Sequence, residues 1–170
     1  MKHEREIAHM LPGLETPEDF KLAFAGVLRN TPDLMEQISL TRSFLGILTV
    51  LDPDSIDGFF GIRIVEKNSQ RPEDEDCFSY VAGRKVDIQK FHDEMFETHE
   101  LSFSPVSGAY ALYLNEKDCE VEGKHIGRVN NELKVISKWG LYGHVYEHLP
   151  EMVPTQYGNK IAYYLPPKVS

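Results

Sequence analysis

The sequence predicts an α+β fold: an N-terminal helical hairpin followed by a mostly antiparallel β-sheet with one or two further helices. Two helix-start signals, Thr16-Pro17-Glu18-Asp19 and Thr31-Pro32-Asp33, lie close together near the N-terminus, each joining a side chain that can cap to a proline suited to a first helical turn. After Asp57-Gly58 the apolar residues change to the period of two that marks strands. Helices first and strands afterwards is the order of an α+β chain rather than of alternating βαβ units. With 170 residues and no linker-like stretch, residues 1–170 are expected to form a single domain.

Taken in order, the first helix spans residues 16–30, with Phe20, Phe24, Val27 and Leu28 at the spacing of one buried face and Asn30 at its end. The second starts after Thr31-Pro32-Asp33 and carries Leu34, Ile38, Leu45 and Leu48 towards Asp52-Pro53. Phe60, Ile62 and Ile64 alternate with Gly61, Arg63 and Val65, which predicts a strand. Residues 68–76 have no apolar anchor and read as an exposed loop leading to a second strand over 78–81. A helix over 86–100 follows, capped by Asp87, with Ile88, Phe91 and Met95 on one face.

Two strands, 101–104 and 109–114, are then expected around a Pro105–Gly108 turn, and a short hairpin around Glu122-Gly123-Lys124. Leu133, Ile136 and Trp139 predict a helix face ending at Gly140, although Leu133, Val135, Ser137 and Trp139 also alternate as in a strand. A last strand, 160–165, follows the Gly158-Asn159 turn.

Composition excludes several function classes. The chain has 18 Lys and Arg against 27 Asp and Glu, a formal net charge of −9, where a protein that neutralises phosphates carries a basic surface, so no nucleic-acid partner is expected. No apolar run is long enough to span a bilayer, and an acidic surface disfavours anionic membranes. The first residues, of mixed charge, lack the apolar core of a secretory signal, which gives a cytoplasmic expectation. Cys77 and Cys119 are read as free thiols rather than a disulfide, and their acidic neighbours oppose thiolate formation.

One segment matches a catalytic spacing. His144-Val145-Tyr146-Glu147-His148 reads H-x-x-E-H, the arrangement with which inverzincin peptidases hold zinc. On a helix His144 and His148 would share a face as metal ligands, and Glu147 would act as the catalytic base for a metal-bound water. Gly140, Gly143 and Pro150 leave room for barely two turns, and in an extended segment the two imidazoles would stand roughly 13 Å apart, beyond the reach of one ion. The rest of the sequence carries no other motif of that family. A zinc-dependent hydrolase is therefore the alternative expectation, and zinc the only cofactor implied.

Other chemistry is weaker still. His92 and His99 border the apolar face of the 86–100 helix beside Asp93 and read as core-edge histidines. No nucleophile elbow occurs, and Gly58–Gly61 lacks the lysine of a phosphate cradle. What stands out is surface character: an acidic loop at Glu73, Asp74, Glu75 and Asp76, further acids at 93–100 and 118–122, and an aromatic C-terminal third with Trp139, Tyr142 and Tyr146. Tyrosine and tryptophan anchor protein interfaces, and acids steer basic partners. The leading expectation is a non-enzymatic protein-binding module, of a small acidic inhibitor or immunity type, whose partner is a basic protein and which needs no cofactor.

Overall fold

The computed structural model describes residues 16–67, 76–117, 120–139 and 143–167. Helix α1 spans Pro17–Arg29 and opens with a capping box: the Asp19 amide donates to Thr16 Oγ1 at 3.2 Å, and the Thr16 amide donates to Asp19 Oδ2 at 3.0 Å. Helix α2, Leu34–Leu51, is capped by Asp33, which accepts from the Glu36 amide at 2.8 Å. Thr31, expected to help start α2, instead donates its hydroxyl to Val27 O and closes α1. The two helices form the expected hairpin, with Phe24 and Phe44 stacked at 4.2 Å between ring centroids.

Among the described residues seven strands follow: β1 Arg63–Glu66, β2 Glu100–Ser102, β3 Tyr110–Lys117, β4 Glu120–Val129, β5 Val135–Lys138, β6 Val145–His148 and β7 Lys160–Leu165. They form one antiparallel sheet in the order β1-β6-β5-β4-β3-β7-β2. Strands alternate their side chains between two faces, and both faces are covered. One carries Ala111, Tyr113, Val129, Val135, Trp139 and Tyr146 against Phe24, Phe44, Leu45 and Leu48 of the hairpin. The other carries Leu112 and Ile126 against two short helices, α3 Cys77–Ala82 and α4 Ile88–Thr98, through Phe78, Val81 and Met95. The fold is thus α+β, as expected, with the sheet between two helical layers.

Several elements differ from the sequence expectation. Residues 78–81 are helical, not a strand: Asp76 caps α3 by accepting from the Ser79 amide at 2.7 Å, and Gly83 ends it at φ 66°. Phe78 and Val81, three apart, then share the buried face, which the short segment cannot distinguish from alternation. Within residues 133–139, where a helix was expected, Val135–Lys138 forms strand β5. A turn with Leu133 at φ 60° precedes it, and Val135, Ser137 and Trp139 all point into the hairpin side of the core. The helix end expected at Gly140 lies outside the described residues.

The strands at 100–102 and 110–117 do not pair with each other: β2 pairs with β7, and β3 lies between β4 and β7. Strand β4 continues through 122–124, where a hairpin turn was expected, with the β3–β4 register shifting by one residue at Lys124. The β1 strand starts only at Arg63, because Phe59–Gly61 is a tight turn with Phe60 at φ 50°. Helix 88–98 with its Asp87 cap and the last strand at 160–165 match their predictions.

Candidate functional site

The H-x-x-E-H segment lies in β6, so the helical face that would bring His144 and His148 to one metal is not formed. Alternation sends Tyr146 and His148 to the hairpin side and Val145 and Glu147 to the α3 side. Each of the three chemistry-bearing residues has its own partners. His144 Nε2 stands 3.4 Å from Asp54 Oδ1 at the end of the segment. His148 is fully buried: its Nδ1 lies 2.7 Å from Leu149 O, and since a carbonyl only accepts, Nδ1 carries the proton. Nε2 is then the acceptor for the Ser137 hydroxyl at 2.9 Å, and Ser137 Oγ in turn accepts from Trp139 Nε1 at 2.9 Å. Burial lowers the His148 pKa to about 4, so the ring is neutral in this chain of bonds.

Glu147, on the opposite face, is enclosed by donors. Arg63 Nη2 reaches both carboxylate oxygens at 3.2 Å, Asn130 Nδ2 donates to Oε2 at 2.8 Å, and Lys134 Nζ lies 3.4 Å from Oε1. A carboxylate so held has its lone pairs committed, which ties β6 to β1 and to the β4–β5 turn rather than leaving a base aimed at a water. Among the described residues no group of three His, Cys, Asp or Glu is placed to hold a metal ion. The nearest approach to a catalytic pair, Ser137 with His148, has no exposed surface on either member.

A third histidine, His125, sits deep on the hairpin side, stacked on Tyr157 at 4.2 Å and 5.5 Å from the Tyr113 ring. Neither ring nitrogen has a hydrogen-bond partner among the described residues, and burial, with a smaller contribution from His148, holds its pKa well below the ordinary value. His92 is packed among Phe78 and Phe96, and His99 Nδ1 lies 2.8 Å from the Thr98 hydroxyl, so both sit at the core edge as expected. Cys77 is largely buried, and desolvation more than neighbouring Asp76 pushes its thiol up to about 12, which leaves it protonated. Cys119 lies outside the described residues.

The expected partner-binding residues are dispersed. Trp139 and Tyr146 are fully buried, their rings 4.4 Å apart, and Tyr146 donates its hydroxyl to Pro53 O at 3.0 Å. They build the core instead of a surface, because the alternation of β5 and β6 turns both towards the hairpin. Asp76 is engaged as the α3 cap. Glu73, Asp74, Glu75 and Tyr142 lie outside the described residues.

Two features went unnoticed in the sequence. The first is the open edge of the sheet at β2, where Leu101 is 50 % and Phe103 96 % exposed. Leu101 lies opposite Tyr164 on β7, whose ring is 5.4 Å from the partly exposed Phe96 of α4, so an apolar strip runs from helix to edge. Glu97 is exposed next to Phe96 on α4, Glu100 is exposed on β2 with its side chain on the face opposite Leu101, and Glu94 lies instead beside Arg84, His99 and Tyr110. The sequence did show acids at 93–100, but not that Phe103 would stay uncovered, which depends on β2 ending the sheet. The second is a cavity of about 540 Å³ between the end of α3 and strands β4 and β5. Among the described residues no helix is long and apolar enough to cross a membrane. Compared with known proteins, the chain matches no protein-family model, no curated protein and no solved structure.

Proposed function

We propose that this protein is a non-catalytic binding module that docks a basic partner protein on the β2 edge, in the manner of a small acidic inhibitor or immunity protein. The observation that carries this reading is the conjunction along β2, beside whose outer edge no further strand lies among the described residues, of exposed Leu101 and Phe103 with the exposed acids Glu97 and Glu100. A terminal strand offers backbone donors and acceptors to an incoming strand, and the flanking side chains supply selectivity. The opposite edge is less suited, since β1 has an irregular register between Ile64 and Glu66 and its Arg63 is tied to Glu147.

The partner chemistry follows from charge. With a formal net charge of −9 the chain attracts cations at long range, and Glu97 and Glu100 near the β2 edge would orient a basic surface towards it. Docking buries Leu101 and Phe103, the anchors of the interface.

The experiment is quantitative co-purification with tagged protein, followed by measurement of the affinity for the retained protein. A basic protein is expected whose affinity falls roughly tenfold or more for Phe103→Asp and for the Glu97→Lys/Glu100→Lys pair, and which is released as salt rises. Retention that is indifferent to both variants and to salt would overturn the reading.

A further inference from the structure

Beyond the protein-docking edge, we propose that the cavity under α3 is a binding site for a small apolar carboxylate, held by Arg128. Its walls are Tyr80, Val81 and Gly83 at the end of α3, Arg128, Val129 and Asn130 at the end of β4, and Ile136 of β5. The volume, about 540 Å³, lies within the range of sites that enclose small organic ligands, and such sites combine apolar walls with a few fixed polar groups. Val81 and Ile136 supply the apolar walls, the Val129 side chain lying on the hairpin face of the sheet, and Gly83, with no side chain and open space where a Cβ would stand, leaves the helical side of the opening clear.

Arg128 supplies the charge. Its guanidinium carbon lies 5.3 Å from the centre of the Tyr110 ring, and Nη2 donates to the Tyr110 hydroxyl at 3.2 Å. Among the described residues no carboxylate pairs with it, in a chain with 27 acids and 18 bases. The guanidinium is thus steadied on one side by the ring, with further N–H donors left for the two oxygens of a carboxylate, the geometry for which arginine is suited.

The far wall does not oppose an anion. Asn130 is held in place, donating one Nδ2 proton to Glu147 and accepting from the Glu132 and Lys134 amides at 2.9 and 3.0 Å, so it is a fixed surface. Glu147, the acid behind it, is neutralised by Arg63 and Lys134. Among the described residues that line the cavity, Arg128 is the one charged side chain, and it is positive.

The test is a titration of the full-length protein with 2-naphthoate, followed by amide shifts in two-dimensional nuclear magnetic resonance, with uncharged 2-naphthamide as the comparison. Saturable shifts confined to the neighbourhood of Tyr80, Gly83, Asn130 and Ile136 are expected. Naphthamide should bind roughly tenfold more weakly, and Arg128→Gln should weaken naphthoate by a similar factor while erasing the difference between the two compounds. Arg128 is exposed, so the variant keeps its fold, which the unperturbed part of the spectrum verifies. Absence of saturable shifts, shifts centred elsewhere, or equal binding of naphthoate to wild type and Arg128→Gln would each overturn the proposal. Because none of these residues belongs to the β2 edge, the outcome is separate from that of protein docking.

Discussion

At the scale of single residues, the chemistry-bearing side chains of β6 hold the structure together. His148 accepts from Ser137, Ser137 accepts from Trp139, and the proton on Nδ1 is fixed by Leu149 O, so the ring closes a buried relay with every polar group satisfied. His148→Ala leaves Ser137 without its acceptor and opens a cavity, and should cost about 2–4 kcal/mol in urea unfolding. Treating the wild-type protein with a chelator should leave its melting temperature unchanged, whereas a zinc-dependent fold would lose stability. The H-x-x-E-H letters were visible in the sequence; that they lie on a strand was not, because His144 and His148 face the same way in helix and strand alike and only the distance differs. Gly127 illustrates a constraint no motif announces. A Cβ there would stand 2.3 Å from Val135 Cγ1 and 2.9 Å from Ile136 O, so Gly127→Ala should destabilise by about 1–3 kcal/mol, measured the same way.

At the scale of elements, legibility followed the length of the pattern and the strength of its caps. Helices α1, α2 and α4 each have a capping residue and at least three turns of amphipathic spacing, and their bounds were readable from Thr16, Asp33 and Asp87. Helix α3 has six residues, too few for period three and period two to separate, yet its stop and start signals, Asp76 and Gly83, were present in the sequence. Asp76→Ala should therefore cost about 1 kcal/mol through loss of the cap, and the loss should appear as faster amide exchange at Ser79. For β5 the deciding contacts are cross-strand: Arg128 opposite Ile136, and Ser137 opposite Tyr146. Such pairings join neighbouring strands, and the periodicity within one segment does not encode them. The same holds for β2, whose partner β7 lies at the other end of the sheet-forming region.

At the scale of the whole molecule, the sheet between two helical layers was legible as an α+β class but its strand order was not. Placement of the candidate surface depends on that order, because Leu101 and Phe103 are exposed only if β2 ends the sheet. A global consequence arises from the two histidines buried on the hairpin side. The fold keeps both His125 and His148 neutral, with pKa values lowered by burial, while in the unfolded chain they titrate near 6.5. The unfolded state then binds more protons below that pH, so stability should be level above neutrality and fall as pH drops from about 6.5 towards 4, where His148 itself protonates. Each histidine contributes a slope of up to about 1.4 kcal/mol per pH unit. Urea midpoints followed by Trp139 fluorescence at several pH values should show this fall, and His125→Phe, which also removes two unsatisfied nitrogens, should make it shallower.

The central claim, docking of a basic protein at the β2 edge, is tested most directly by a photo-crosslinking amino acid placed at Phe103 and, as a control, at exposed Val50 on α2. A discrete adduct with a basic protein is predicted from position 103, absent from position 50 and abolished by Glu97→Lys/Glu100→Lys. No adduct at 103, or the same adducts from both positions, would contradict it.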